Sequence, residues 1–364
     1  MNRIEYDNII AFHPGYYLKD MLEAWNMTQD EFAKRLDTSG KTVSKLLNGK
    51  INLTEEMALS IATVFGTSVT LWLNLNKNFI EKKLEIEKRK REDRQAEVAE
   101  KLDYNFFLNL GVVDAVCTPE EKVCELQKFL HVANLATLER NDFLVQTRDS
   151  EVLLDTDYFR NANAWVQTAL SIEDKTEVEK FSMKKIKKAL PEIRRMTGKS
   201  PEEVYPRLKR TLADCGIAFV MLPKLGECDI CGAVKWDSRE KVIMAVNEKS
   251  EYRDQFWYTI FHELGNVLEK KVAMLLVSDE EQKLADASDL RREVNEKANQ
   301  FACDMMISHD KFEAFLEKNQ FDKESITAFA KKAGIDPGIV VGQLQRKRIL
   351  SYHTGLNVLR QKME

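Results

Sequence analysis

The sequence predicts an α+β protein, mostly α: an N-terminal bundle of five helices, a helical connector, and a C-terminal domain with a small sheet. Three observations carry that expectation. Residues 10 to 80 show N-cap residues followed by apolar positions at helical spacing, with short polar breaks. A charge-dense run without Gly or Pro follows from Glu81 to Lys101. Beyond Pro201 the periodicity changes, and short apolar runs bounded by Pro, Gly and Asp read as strands. The expected boundaries are 8–80 for the bundle, 81–159 for the connector and middle region, and 160–364 for the last domain.

In order along the chain, His13 precedes Pro14 and caps the first helix. Thr28-Gln29-Asp30-Glu31 opens the next as a capping box, Thr28 with Glu31. Asp37-Thr38-Ser39-Gly40 is a tight polar turn, and Lys41 to Leu47 is a third helix closed by Asn48-Gly49. Phe32, Ala33, Leu36, Val43 and Leu46 are its candidate core. Helices over Thr54–Phe65 and Ser68–Asn78 complete the five. Glu81 to Lys101 mixes both signs of charge and reads as a solvated connecting helix. Thr118-Pro119-Glu120-Glu121 is a further helix start, and Pro191 with Thr197-Gly198-Lys199-Ser200-Pro201 ends the middle segment. An amphipathic helix then spans Pro201 to Ala213. Ile217–Leu222 is a strand stopped by Pro223, and residues 232–236 and 241–246 form a hairpin around Asp237-Ser238-Arg239-Glu240. A helix containing His262, one from about Arg291 to Ile307, and short ones near Glu324–Lys332 and Pro337–Arg346 finish the chain.

Composition limits the function classes. The content of 44% hydrophobic and 31% charged residues is ordinary for a globular protein. No apolar run reaches the ~18 residues of a membrane span. The polar N-terminus lacks a signal-peptide core, and the six Cys follow no disulfide framework, so a reduced cytoplasmic protein is expected. A net charge of −4 argues against whole-chain affinity for nucleic acid but leaves room for a local module.

That module is the pair of helices around the Asp37–Gly40 turn. The second of them turns Lys41, Thr42, Ser44 and Lys45 outward, residue types that suit phosphates and base edges in a major groove. Gln29, at the start of the first, is placed to hydrogen-bond a phosphate. The alternative is a helical bundle with no DNA role. Together with His13-Pro14-Gly15, Asn48-Gly49, Thr54-Glu55-Glu56-Met57-Ala58-Leu59 and Trp72-Leu73-Asn74-Leu75, this unit resembles the HigA class of antitoxins with an Xre-type helix-turn-helix, over roughly residues 8 to 80. The resemblance implies a homodimer on palindromic operator DNA, autoregulation, and neutralisation of a small protein toxin.

The segment Phe261-His262-Glu263-Leu264-Gly265-Asn266 reads as the zinc-peptidase helix His-Glu-x-x-His with Asn266 in the second His position. In the intact motif two His four apart share one helix face and bind zinc, and the Glu activates the metal-bound water. Gly232-Ala233-Val234-Lys235-Trp236, Asp254 to Gly265, Ala298-Asn299-Gln300-Phe301-Ala302 and Pro337 to Gln345 resemble, in order, the ImmA/IrrE family of zinc-dependent peptidases. That resemblance implies a zincin-like domain from about residue 160 onward, fused to the antitoxin-like module in an arrangement known among antitoxin-like proteins. It also assigns a third ligand to a Glu three residues before Ala298, where this chain has Asn295. His262 remains as the metal-type residue and Glu263 as a vestigial general base. The expectation is no catalytic zinc, unless Glu269, Glu293, Glu296 or His309 substitutes as a ligand. Cys228 and Cys231 form a Cys-x-x-Cys without a second pair, in a loop before a strand, and a metal or redox role is not expected there.

Three readings follow. The first is a DNA-binding regulator and antitoxin whose peptidase-like half binds toxin or senses. The second is an active zinc peptidase that cleaves a repressor or partner, and the third is a pure interaction protein.

Overall fold

A computed structural model describes residues 2–144, 156–173, 176–199, 201–226, 230–248, 250–269, 274–278 and 289–363. Two compact units divide the chain, residues 1–97 and 98–364. Among the described residues no helix is long and apolar enough to cross a membrane.

The first unit opens with an element the sequence reading missed, a hairpin of β1 (Arg3–Tyr6) and β2 (Ile9–Phe12), paired antiparallel. Four-residue strands give too short a period-2 signal to register. Then come α1 (Pro14–Ala24), α2 (Gln29–Arg35), α3 (Gly40–Leu47), α4 (Glu55–Phe65) and α5 (Val69–Lys101). Leu18, Phe32, Val43, Leu46, Leu47, Ile61 and Trp72 form the core. Leu36, expected there, is only half-buried.

The expected short helix over 68–78 and the expected connector after 81 are one helix of 33 residues. The connector is not solvated all round, because Phe79 and Ile86 are buried under the β1–β2 hairpin with Ala11. The Tyr6 hydroxyl donates to Asp93 (2.6 Å), and Arg89 pairs with Asp7 (2.7 Å). The other charges of α5 largely answer one another at i,i+3 and i,i+4, as in Lys83–Glu87, Lys88–Glu92 and Arg94–Glu97.

The second unit is a four-stranded sheet covered on both faces. After α6 (Tyr104–Asn109), α7 (Pro119–Leu130), α8 (Thr156–Glu173), α9 (Met183–Met196) and α10 (Pro201–Ala213) come β3 (Ile217–Leu222), β4 (Ile230–Trp236) and β5 (Val242–Asn247). They are followed by α11 (Arg253–Glu269), β6 (Met274–Ser278), α12 (Asp289–Met306), α13 (His309–Leu316), α14 (Lys323–Ala333) and α15 (Pro337–Arg346). The strand order is β3-β5-β4-β6, with β3 parallel to β5 and the other pairs antiparallel.

Strand alternation sorts the apolar residues between two cores. Ile217, Phe219, Val242, Met244 and Val246 face the core built by α9 to α12 and α15. Ala218, Val220, Leu222, Ile243 and Ala245 face the core of α6 to α8. Burial on both faces is why β3 and β5 read as unbroken apolar runs.

Thr118 forms a complete capping box with Glu121 at the start of α7. Pro191 does not end its helix as expected; it lies inside α9, where Arg195 Nε donates to the carbonyl of Pro191. At the C-terminus, Arg360 grips Asp254 with two hydrogen bonds of 2.9 Å, both side chains buried, and donates to Gln345 (3.1 Å). This pair ties the last residues to the start of α11.

Candidate nucleic-acid interface and the buried His-Glu-Asn cluster

The two helices and their turn are set by local chemistry. Thr28 Oγ1 accepts from Glu31 N (3.2 Å), as its N-cap position demands. The expected capping box is only half-formed, because the Glu31 carboxylate is drawn to Arg35 instead (2.6 Å). The helix ends in a Schellman turn: Thr38 N donates to Ala33 O (3.0 Å) and Asp37 N to Lys34 O (3.3 Å), with Asp37 at φ 51°. Ser39 then caps α3, its Oγ accepting from Thr42 N (3.1 Å) and lying 2.9 Å from Thr42 Oγ1.

Val43, Leu46 and Leu47 anchor α3 from below. Gly15 lets α1 press against it: a Cβ there would lie 2.2 Å from the carbonyl oxygen of Leu46. His13 fastens the same joint. Its Nδ1 accepts from Gly15 N (3.0 Å), which leaves the proton on Nε2 to be donated to Ile51 O (3.0 Å). Burial holds the His13 pKa below its usual value, so the ring is neutral, as these bonds require.

On this base Gln29, Lys41 and Lys45 are exposed, and Thr42 and Ser44 are half-exposed. Lys41 and Lys45 are one helical turn apart on the same face. The expected contact residues are thus presented together, except that the Thr42 hydroxyl is already engaged by Ser39. Asn48 closes α3, donating to Ser44 O (2.8 Å) and accepting from Lys19 Nζ (3.1 Å). His13 caps the first helix as expected, whereas Ser39 and Gly15 were not singled out for these roles. An N-cap Ser ahead of α3 was the available sign of the first.

The second constellation lies on α11. His262, Glu263 and Asn266 are all buried, at 1%, 0% and 3% exposure. Asn266 turns its amide nitrogen toward both neighbours, 3.3 Å from His262 Nδ1 and 3.1 Å from Glu263 Oε2. β4 passes close above: a Cβ on Gly232 would lie 2.5 Å from Glu263 Oε1. One turn earlier, Tyr258 donates to Asn299 of α12 and is stacked under the Arg346 guanidinium at 3.6 Å. Burial pushes the Tyr258 phenol well above its usual range.

Three of the expected substitute ligands have described side chains. Glu296 is exposed, and His309 is 60% exposed beside Asp304. Glu269 is half-buried, two turns beyond His262. Among the described residues no three His, Cys, Asp or Glu side chains group as a metal cage. Asn295 and Glu293 lie in α12, but their side chains are outside the described residues. Cys228 is also outside them, and Cys231 lies in β4 rather than in a loop before it.

Comparison with known proteins bears on the first constellation. Residues 18–72 match the Helix-turn-helix family model HTH_3, so the N-terminal unit contains a helix-turn-helix domain. The chain is 40% identical over 62 residues to YddM of Escherichia coli K12, described as an uncharacterized HTH-type transcriptional regulator. It is 41% identical over 58 residues to YbaQ, a second such regulator from that strain. These matches cover 17% and 16% of this chain, and the chain spans 66% and 51% of the length of the two curated relatives. A solved structure of an addiction module antidote protein of a HigA family, from Coxiella burnetii, is 31% identical; the match covers 23% of this chain and 91% of that one, with a TM-score of 0.22.

Proposed function

We propose that this chain is a DNA-binding transcriptional regulator acting as the antitoxin of a toxin–antitoxin pair. In this reading α3 contacts operator DNA, two copies occupy a palindrome, and the second unit is an ImmA/IrrE-like fold that binds toxin or a signal without catalytic zinc. The observation that carries the DNA-binding part is the placement of Lys41, Lys45 and Gln29 in solvent on two capped helices over a rigid core, within the segment that matches the helix-turn-helix family. The antitoxin part rests on the motif resemblance. Two of its residues have structural work here, His13 as cap and Gly15 as the contact that seats α3.

A gel shift with the chain's own promoter region tests the reading. Specific binding is expected, and replacing Lys45 by Ala should lower the salt slope by about one unit on every sequence. Thr42 or Ser44 substitutions should change the preferred base pairs. Unaltered affinity after changing Lys41, Thr42, Ser44 and Lys45 together would exclude α3 as the reader.

The second reading, an active zinc peptidase, is favoured by the retained His262-Glu263 pair. The donor set does not fit the metal. Asn266 turns its amide N–H toward His262 and Glu263, its neutral amide oxygen is a poor zinc ligand, and zinc wants about three protein ligands. Elemental analysis of purified protein should find well under one equivalent of zinc. Asn266→His combined with Asn295→Glu should raise it, and either change alone much less. Stoichiometric zinc lost on mutating His262 would reverse the assignment.

A further inference from the structure

Helix α9 lies in a dense run of positive charge, of which Lys180 pairs with Glu240 and Lys185 with Glu179. Lys180 to Lys199 holds eight basic residues and one acidic residue, in a protein of net charge −4. The helix is sharply two-faced. Ile186, Leu190, Ile193 and Met196 are buried in the core of the second unit. Lys184, Lys187, Lys188 and Arg195 follow at i, i+3, i+4 and i+11, a single stripe, and all are exposed.

Compensation is missing on this stripe, unlike on α5. The one acid of the span, Glu192, is taken by Arg207 (2.7 Å). Among the described residues no ion pair holds Lys184, Lys187, Lys188 or Arg195, whereas Lys83, Lys88 and Arg94 of α5 each have an acid within one turn.

We propose that the α9 stripe is a second nucleic-acid contact, a sequence-independent seat for the phosphate backbone of duplex DNA, separate from the helix-turn-helix. It rests on the DNA-binding reading above. Several observations select this occupant. Four like charges along ~16 Å of helix complement a polyanion of regular spacing. Three of them are Lys, a point charge that suits phosphate rather than base-edge readout. No aromatic residue lies among them for base stacking. Insertion into a lipid surface would need the apolar face of α9, and that face is already buried. Tethering to a domain that binds DNA raises the local duplex concentration, so individually weak contacts count.

The experiment measures full-length protein by fluorescence anisotropy across a salt series. Three duplexes are compared: the operator alone, the operator with long flanks, and a random sequence of the same long length. The variants are K184Q/K187Q/K188Q/R195Q, the charge-preserving K184R/K187R/K188R, and K41A/K45A. The salt slope on both long duplexes should fall by about three to four units in the Gln variant, stay unchanged in the Arg variant, and change little on the short operator. Affinity for the flanked operator should fall about 10- to 100-fold in 0.1 M salt. An unchanged slope in the Gln variant, with operator binding intact, overturns the α9 seat and leaves the helix-turn-helix reading standing. Loss of binding to long duplexes in the Gln variant but not in K41A/K45A upholds the seat and overturns α3 as the reader. Wild-type binding to phosphatidylserine vesicles that the Gln variant loses, with no change on DNA, overturns the proposal in favour of a membrane surface. Matching thermal unfolding curves establish that all variants are folded.

Discussion

The α2–α3 pair and the His262–Asn266 stretch of α11 are both short helical motifs rich in polar residues, and they use those residues in opposite ways. In the first, Gln29, Lys41 and Lys45 point to water while caps hold the backbone. In the second, His262, Glu263 and Asn266 are enclosed, with the Asn266 amide nitrogen set against the other two. Exposed polar groups remain available to a partner. Buried ones are held inside the fold, where the Asn266 amide nitrogen faces two neighbours while its oxygen has no hydrogen-bond partner among the described residues. A polar motif implies chemistry only when its groups can still reach a ligand.

The sharpest way to probe the contrast is to disturb each unit and ask whether the other notices. Removing the buried ion pair by Arg360→Ala strands the Asp254 carboxylate and should cost the second unit about 3–5 kcal/mol. Urea unfolding followed by circular dichroism would register it, with operator affinity unchanged at low denaturant. A loss under about 1 kcal/mol would mean that the C-terminal tie contributes little.

Gly15→Ala should be next, at about 2–3 kcal/mol, because the new methyl meets the Leu46 carbonyl. Here stability and operator affinity should fall together, since α3 must move. Wild-type affinity in this variant would break the claim that α1 sets the position of α3.

A smaller effect separates the units by pH. The folded-state pKa of His13 lies below its usual value of 6.5, so in acid the unfolded chain takes up the proton first. The contribution of His13 is complete above that usual value and declines as pH falls toward the lowered one. His13→Ala should remove this part of the acid sensitivity. An identical pH profile of stability in the two proteins would refute the neutral cap.

The smallest effect belongs to the turn. Asp37→Gly should stabilise the first unit by about 0.5–1 kcal/mol by relieving the left-handed conformation at φ 51°. Destabilisation would show that the Asp37 side chain does more than tolerate that geometry.

What the sequence determined by itself is mainly what neighbours in the chain decide. Thr28, Thr118, the Asn48-Gly49 close and the Asp237–Glu240 hairpin act within a few residues of themselves, and each is found where the chain announced it. The apolar runs of β3 and β5 were legible because burial on both faces leaves no polar alternation to confuse.

Tertiary structure decided the rest. The hairpin of residues 3–12 exists because Phe79 and Ile86, some seventy positions away, give it a surface. Pro191 fits within α9 although local propensity opposes it, since Ile186, Leu190 and Ile193 are held in the core. The orientation of the Asn266 amide depends on His262 and Glu263 being sealed under Gly232 of β4. Caps and turns are energies of adjacent groups, fixed by spacing alone. Burial and the pairing of enclosed polar groups are energies of distant segments, and they take a value only once the chain has closed around them.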